Sequence, residues 1–141
     1  MLVVDASVAV KWLVPEEGSD LALGLHDSTQ EMHAPRLLAA EVTNALWRKA
    51  RVGELDQAEA SALAAEVPRL PVQWHMDETI CADAARLAIA YDRPVYDFMY
   101  LALAQRLSTR LVTADQRFVN ALATGDHGDL VVGLRSAGGD G

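Results

Sequence analysis

The sequence contains a single cysteine, Cys81, among its 141 residues, so an intramolecular disulfide is excluded. The N-terminus lacks the basic start and the long apolar stretch of a secretory signal. Charged residues interrupt every apolar run before it reaches the roughly twenty residues that span a bilayer. We therefore expect a cytoplasmic protein without a membrane segment, in which Cys81 is a small core residue of a helix.

Positive charge is scarce as well, because 12 lysines and arginines stand against 20 acidic residues and the formal net charge is −8. This balance argues against broad electrostatic attraction to nucleic acid. A bound metal ion would offset several negative charges locally, however, and a partner protein could supply positive surface. The charge therefore disfavours a nucleic-acid enzyme without excluding one.

Several common catalytic motifs are also missing. The sequence has no glycine-rich loop that would cradle a phosphate and no nucleophile elbow. The start VVD would suit a phosphoaspartyl phosphatase or a receiver domain, but the DxD pair of the first and the neighbouring acids and lysine of the second are absent. Four histidines lack ligand spacing, which argues against a zinc site: His26, His33, His75 and His127.

The composition is that of an ordinary globular domain, with 51% hydrophobic and 23% charged residues. Short apolar runs that predict strands alternate with longer helical patterns. The strands are predicted at residues 2–4, 32–34, 72–74, 111–113 and 130–134. The helices are predicted at residues 7–14, 19–26, 35–52, 56–67, 77–91, 96–107 and 115–122. This alternation predicts an α/β fold in which helices flank a central parallel sheet.

A chain of this length is expected to form one domain with one core. We place this domain at residues 1–134 and interpret the glycine-rich end, residues 135–141, as a flexible C-terminal tail. The three tryptophans are interpreted as core or dimer-contact residues and not as platforms for stacked bases: Trp12, Trp47 and Trp74.

Four acidic residues stand inside apolar runs, where a soluble protein would normally carry an aliphatic residue. They are Asp5 in MLVVDASVAV, Glu41 in RLLAAEVTNAL, Asp97 in PVYDFMYLALA and Asp115 in RLVTADQRFV. Ionised carboxylates are rarely buried without a partner. A shared divalent cation would make them tolerable, because it binds several oxygen ligands and offsets their repulsion. A metal-dependent phosphodiester chemistry is therefore the first hypothesis.

The predicted elements direct three of these acids to one place. Asp5 directly follows the first strand, Asp115 lies two residues beyond the strand that ends at Thr113, and Asp97 starts a helix. Ligand sites of open parallel sheets lie just beyond the carboxyl ends of the strands. The partial positive charge of a helix N-terminus also favours ionised carboxylates there. Two hydroxyls, those of Ser7 and Thr113, are expected to support the site.

The fourth acid lies inside a helix, on a face that carries several polar residues. At helical spacing this stripe contains Glu41, Asn44, Arg48 and Arg51. If Glu41 joins the other acids, the two arginines are candidate contacts to an RNA phosphate backbone.

Each of these residues also has a plainer interpretation. Asp5, Asp97 and Asp115 are all placed to be helix N-caps. A lone glutamate on a long helix, such as Glu41, is usually solvated, and the hydroxyls and the polar stripe can be structural. The occurrence of all four acids as a set favours the site.

These acids and their surroundings resemble the motifs of the PIN domain, in particular the VapC group of toxin ribonucleases. The motifs are VVDASVAVKWLVPEEGSD, LLAAEVTNAL, YDRPVYDFMYLALA and LVTADQRF, and the resemblance extends over residues 2–134. It implies a PIN-like fold, an α/β/α sandwich with a central parallel sheet. All four motif acids are present and in order.

The resemblance also implies a function and partners. In that family the acids bind one or two Mg²⁺ or Mn²⁺ ions and RNA is cleaved; by motif, the ligands here are Asp5 and Asp97, then Asp115 and Glu41. The supporting positions by motif are Ser7, Asn44 and Thr113. A homodimer and a cognate VapB-like antitoxin, whose C-terminal segment covers the acidic groove, are further implications. The alternative is a catalytically inactive PIN-like scaffold that binds protein or RNA.

Overall fold

Five short parallel strands form the centre of the computed structural model, which describes residues 1–138. In the order β3-β2-β1-β4-β5, each strand pairs in parallel with its neighbour. The strands are β1 (Leu2–Val4), β2 (Met32–Pro35), β3 (Gln73–His75), β4 (Leu111–Thr113) and β5 (Val131–Gly133). The chain winds in opposite directions on the two sides of β1, so the end of β1 lies at the switch point where such sheets bind ligands.

Helices connect these strands and cover both faces of the sheet. They are α1 (Ala6–Leu13), α2 (Ser19–His26), α3 (Leu37–Arg51), α4 (Gln57–Glu66), α5 (Cys81–Tyr91), α6 (Val95–Arg106), α7 (Gln116–Leu122) and α8 (Leu134–Gly138). Three single 3₁₀ turns lie at Val67–Arg69, Asp77–Thr79 and Gly128–Leu130. The predicted α/β fold with a central parallel sheet between helices is confirmed.

Two hydrophobic clusters lie on the two faces of the sheet. Adjacent residues of one strand point to opposite faces, and accordingly Val3 belongs to the larger cluster while Val4 belongs to the smaller one. In α6 all seven residues from 98 to 104 are buried. A helix that is apolar all round is enclosed by the protein, so Asp97, in the first turn of α6, is carried by a rigid element.

Two predicted helix starts differ from the structure. Pro35 was expected in the first turn of the long helix, but it is the last residue of β2 and pairs with His75. A proline lacks the N–H that a strand interior requires, and a strand end tolerates it. The helix predicted to start at Asp77 begins at Cys81 instead, and Asp77 Oδ1 accepts a hydrogen bond of 3.0 Å from the backbone N–H of Leu37. Asp77 therefore caps α3, which lies next to it only in three dimensions.

The expectation for Cys81 was also wrong, whereas the tryptophans divide between the core and the surface. Cys81 is exposed and not in the core, and its Sγ donates to the carbonyl of Asp77 at 3.2 Å. Trp12 and Trp74 pack partly buried against the larger cluster, whereas Trp47 is 53% exposed. The spacing of residues cannot tell the exposed face of a helix from the buried face when both faces carry small residues.

The chain continues as a helix beyond the predicted end of the domain. Leu134 is buried in the smaller cluster and begins α8, where the flexible tail was expected to start at residue 135. The rest of the predicted tail, residues 139–141, lies outside the described residues. Within residues 1–138, every helix falls short of the length and apolarity that a membrane crossing requires.

The aromatic contacts of Phe118 predict its contribution to stability. Phe118 is 1% exposed and packs edge-on against Phe98, with ring centroids 5.5 Å apart. We expect Phe118→Ala to lower the free energy of unfolding by about 3–5 kcal/mol, because it leaves a cavity between α6 and α7. Urea denaturation measures the change, and Ile89→Ala, at a side chain that is 80% exposed, is the control. A loss equal to that of the control would contradict the described packing.

Candidate active site at the carboxyl end of the sheet

Asp5 is the most deeply placed of the four acids. It follows β1, is 8% exposed, and caps α1 by accepting a hydrogen bond of 3.3 Å from the Val8 N–H. Ser7 Oγ donates to Asp5 Oδ1 at 2.5 Å, and Thr113 Oγ1 donates to Oδ2. Burial raises the pKa of Asp5 to about 6, with these hydrogen bonds opposing the rise and the charge of Asp97 adding to it.

The two hydroxyls are themselves oriented by the backbone that follows β4. Ser7 Oγ accepts from the Ala114 N–H at 2.9 Å, and Thr113 Oγ1 accepts from the Asp115 N–H at 3.1 Å. Because each oxygen already accepts a backbone hydrogen bond, its own hydrogen is free to point at Asp5. The ends of β1 and β4 are thus joined through the Asp5 carboxylate, which both hydroxyls contact.

Asp97 lies half-buried in the first turn of α6, within electrostatic reach of the other three acids. Burial raises its pKa, the charge of Asp115 raises it further, and Arg93 opposes the rise. In turn, the charge of Asp97 raises the pKa of both Asp5 and Glu41. Within residues 1–138 no group donates a hydrogen bond to the Asp97 carboxylate. It is therefore a desolvated negative charge that meets mainly like charges.

Asp115 is exposed and has two roles at once. It is the N-cap of α7, since its Oδ1 accepts from the N–H groups of Arg117 at 3.0 Å and Phe118 at 3.3 Å. It also lies close enough to Asp97 for its charge to raise the pKa of Asp97. The cap interpretation thus applies to Asp115, as it does to Asp5, without removing either from the acidic cluster. It does not apply to Asp97, because the N-cap of α6 is Pro94.

Glu41 is half-buried on α3 and is not a freely solvated surface acid. The phenol of Tyr100 donates to its Oε1 at 2.5 Å. Burial raises the pKa of Glu41 and the charge of Asp97 adds to the rise, whereas the Tyr100 hydrogen bond and the charge of Arg48 oppose it. Glu41 therefore belongs to the same charge network as the three aspartates.

Tyr100 is a residue of the site that the motif analysis missed. It lies three positions after Asp97 on α6, and residues at that spacing share one helix face. The sequence DFMY therefore contained the signal. Its partner could not be read from the sequence, because Glu41 lies 59 positions away in the chain.

A cleft of about 700 Å³ opens beside these acids. Its wall contains Glu41 and Asp115 among acidic residues and Lys11, Arg48 and Lys49 among basic ones. Both lysines bind the same carboxylate, that of Glu16, with 3.0 Å between Lys11 Nζ and Oε1 and a short contact from Lys49 Nζ to Oε2. Although burial opposes it, these hydrogen bonds hold the pKa of Glu16 below its ordinary value.

The polar stripe of α3 divides between two surfaces. Asn44 and Arg48 line the cleft with Glu41, and Arg48 forms no ion pair among the described residues. Arg51 instead lines a groove between α3 and α4, where its guanidinium carbon lies 5.5 Å from the ring centroid of Trp47. At about 100° per residue Arg51 points well away from Glu41, and the cation–π contact holds it there. The structure therefore does not bring Arg51 to the cleft.

The four carboxylates fit a hard divalent cation by the chemistry of their oxygen donors. Across the described part of the chain, no three His, Cys, Asp or Glu side chains are close enough to enclose an ion directly. Mg²⁺ keeps several waters and takes only one or two protein carboxylates directly, so a looser set is compatible with it. The desolvated, unpartnered carboxylate of Asp97 is the feature that a cation would satisfy.

Two of the histidines, scattered in the sequence, meet in the structure. His33 Nδ1 and His75 Nε2 lie 2.8 Å apart on neighbouring strands. Burial, and then the charge of His33, lower the pKa of His75. This pair is separate from the acids that surround Asp97.

The raised pKa values predict how the stability of the metal-free protein depends on pH. Asp5 binds its proton more tightly when folded, so its contribution to stability is full below the unfolded pKa of 3.8 and is lost as the pH rises through about 6. At neutral pH, where Asp5 is ionised in both states, a rise of about two pKa units lowers the free energy of unfolding by about 3 kcal/mol relative to its value at low pH. Glu41 and Asp97 shift in the same direction.

We therefore expect Asp97→Asn to raise the melting temperature of the metal-free protein by a few degrees at pH 7.5, because it removes like-charge repulsion. The gain should shrink as the pH falls through about 6 toward 4, because Asp5 then takes up its proton and no longer repels Asp97. Thermal unfolding in a chelator measures both values, with Asp126→Asn, at an exposed acid of a turn, as the control for lost charge. A lower melting temperature for Asp97→Asn at pH 7.5 would show that the carboxylate is structural.

Solved structures share this architecture. The crystal structure of PAE2754 from Pyrobaculum aerophilum superposes with a TM-score of 0.70 at 22% identity, over 99% of this chain and 87% of that one. A toxin-antitoxin complex from Klebsiella pneumoniae matches with a TM-score of 0.61 at 16% identity, over 95% of this chain and 98% of that one. At these identities the likeness shows the fold alone.

Sequence comparisons reach further. The model of the PIN domain family matches residues 2–121. Ribonuclease VapC3 of Pyrobaculum aerophilum is 38% identical over 118 residues, which cover 82% of this chain and 90% of that protein. Ribonuclease VapC3 of Mycobacterium tuberculosis is 32% identical over 126 residues, which cover 85% and 86%. The chain therefore belongs to the PIN domain family and, within it, to the VapC ribonucleases.

Proposed function

We propose that the protein is an endoribonuclease that hydrolyses RNA phosphodiesters with Mg²⁺ or Mn²⁺ and acts as the toxin of a toxin-antitoxin pair. The observation that carries this proposal is that three carboxylates lie within electrostatic reach of a fourth, that of Asp97, which is desolvated and has no hydrogen-bond donor among residues 1–138. Such an arrangement disfavours the empty protein and favours a bound cation. Membership of the VapC ribonucleases supports RNA as the substrate.

The acids divide the work according to their surroundings. Asp5 and Asp97 are the proposed direct ligands, and Glu41 and Asp115 complete the site through waters. When bound, the ion supplies an activated water and offsets the negative charge that builds on the phosphate. Ser7 and Thr113 orient the Asp5 carboxylate for this role, and Oδ2, which accepts only the Thr113 hydrogen bond, keeps a lone pair for the ion.

The cleft wall formed by α3 is the proposed path of the RNA. Arg48 lines it as an unpaired cation beside Glu41, and Asn44 adds a neutral amide that can donate to a phosphate or a ribose. Lys11 and Lys49 pair with Glu16, and Lys49 also pairs with Glu54, so two glutamates offset the charge of the two lysines. A single free guanidinium predicts modest affinity and a shallow dependence on salt.

A cognate VapB-like antitoxin is the proposed partner, with a homodimer as the proposed state of the toxin. The net charge of −8 suits a partner that supplies positive surface. A cationic side chain of its C-terminal segment, placed over the acids, would offset their charge and block the cleft. The structural likeness to a protein from a toxin-antitoxin complex is consistent with this partner.

A scaffold that binds RNA or protein without cleavage is the second candidate. The observation that favours it is that no three ligating side chains in residues 1–138 are close enough to enclose a metal ion. Scaffold and nuclease differ in whether a cation makes the protein cut RNA, and this difference decides between them.

We expect the purified protein, freed of antitoxin, to cut a structured RNA when Mg²⁺ or Mn²⁺ is present and to stop when the ion is chelated. Asp97→Asn should reduce cutting to the level of buffer, because it removes a charge at the centre of the cluster. Gel analysis of end-labelled RNA measures both, and Asp126→Asn is the matched control. Cutting by Asp97→Asn at the wild-type rate would reject the site, and RNA binding without cutting by the wild type would favour the scaffold.

The different placement of the two arginines predicts different effects on RNA binding. In the inactive Asp97→Asn background, Arg48→Ala should weaken binding several-fold and lower the slope of log affinity against log salt by about 0.7, the value for one lost phosphate contact. Arg51→Ala should change neither, because its side chain lies on Trp47 outside the cleft. Fluorescence anisotropy over a salt series measures the slope. Equal effects of both variants would place the RNA along the whole of α3.

A further inference from the structure

The phenol of Tyr100 is placed where it can control the geometry of Glu41. Tyr100 is 1% exposed on α6, the enclosed helix that also carries Asp97. Its hydroxyl donates to Glu41 Oε1 at 2.5 Å and so links α6 to α3 across the end of the sheet. Among the described residues this is the only hydrogen bond to the Glu41 carboxylate, so Oε2 stays available.

The chemistry of a phenol suits this position better than that of a cation. A lysine or arginine there would neutralise Glu41 and compete with a metal ion, whereas a neutral hydroxyl restrains the carboxylate and leaves its charge in place. A phenol holds its proton at neutral pH, so Tyr100 remains a donor to Glu41 Oε1.

We propose that Tyr100 is a positioning residue, whose hydroxyl fixes Glu41 Oε1 and thereby directs Oε2 toward the cation shared with Asp5 and Asp97. This inference rests on the proposed function, because it assigns Glu41 to a metal site. Tyr100 itself touches neither metal nor RNA. Its effect passes through Glu41 alone, and this distinguishes positioning from a general contribution to folding.

A double-mutant cycle with Mn²⁺ as the probe tests the proposal. Tyr100→Phe keeps the ring and removes the hydroxyl; we expect the Kd for Mn²⁺, measured by calorimetry or electron paramagnetic resonance, to rise about tenfold or more, as for other partners of metal ligands. In a Glu41→Gln background the same change should leave the Kd unaltered, because interacting residues are not additive. RNA cleavage should follow the same pattern.

The chain offers a matched control for the loss of a phenol hydrogen bond. The Tyr91 hydroxyl contacts His127 Nδ1 at 2.7 Å, outside the acidic cluster, so Tyr91→Phe should leave Mn²⁺ affinity and cleavage at wild-type values. Glu41→Asp is a second variant, which tests the same hydrogen bond even if Tyr100→Phe fails to fold. It keeps the charge but withdraws it by one methylene from Tyr100, and it should weaken Mn²⁺ binding as much as Tyr100→Phe does.

Three outcomes would overturn the proposal. Equal losses from Tyr100→Phe in the wild-type and Glu41→Gln backgrounds would mean that the tyrosine acts on the fold and not through Glu41. Wild-type Mn²⁺ affinity in both Tyr100→Phe and Glu41→Asp would mean that the hydrogen bond does not matter to the site. A wild-type protein that neither binds Mn²⁺ nor cuts RNA would refute the proposed function, and the positioning role with it.

Discussion

The repulsion among four carboxylates at one end of the sheet is the constraint on which the site depends. Burial raises the pKa of Asp5, Glu41 and Asp97, and the charge of Asp97 reaches both of the other two. No fold would gather these groups for stability alone, because each desolvated charge costs free energy. The rest of the structure holds them together despite that cost, and a cation is what would offset it.

Rigid elements supply this restraint. Asp5 is held by two hydroxyls whose oxygens are anchored on the backbone after β4, and Asp115 is fixed as the cap of α7. Asp97 is carried by α6, which is enclosed over seven consecutive residues. Loops would relax away from such repulsion, whereas strand ends and a buried helix cannot do so without losing core contacts.

The cleft beside the acids carries both signs of charge, and this bears on the objection that the protein is too acidic to bind RNA. Lys11 and Lys49 pair with Glu16, and Lys49 also with Glu54, so Arg48 alone remains as an unpaired cation in the cleft among the described residues. A nuclease built in this way would depend on its metal ion, and less on a basic surface, to attract the phosphate. Membership of the VapC ribonucleases is then compatible with a net charge of −8.

The sequence by itself determined the α/β alternation, the four acids and the order in which they occur, because apolar periodicity and strand ends are local properties. Only the tertiary structure decided the partners of these acids: Thr113 reaches Asp5 across 108 positions and Tyr100 reaches Glu41 across 59. The tertiary structure also places Arg51 on Trp47, outside the cleft, and places Asp77 at the N-terminus of α3 as a cap. Hydrogen bonds between distant residues depend on how helices pack against the sheet, and no local pattern encodes that packing.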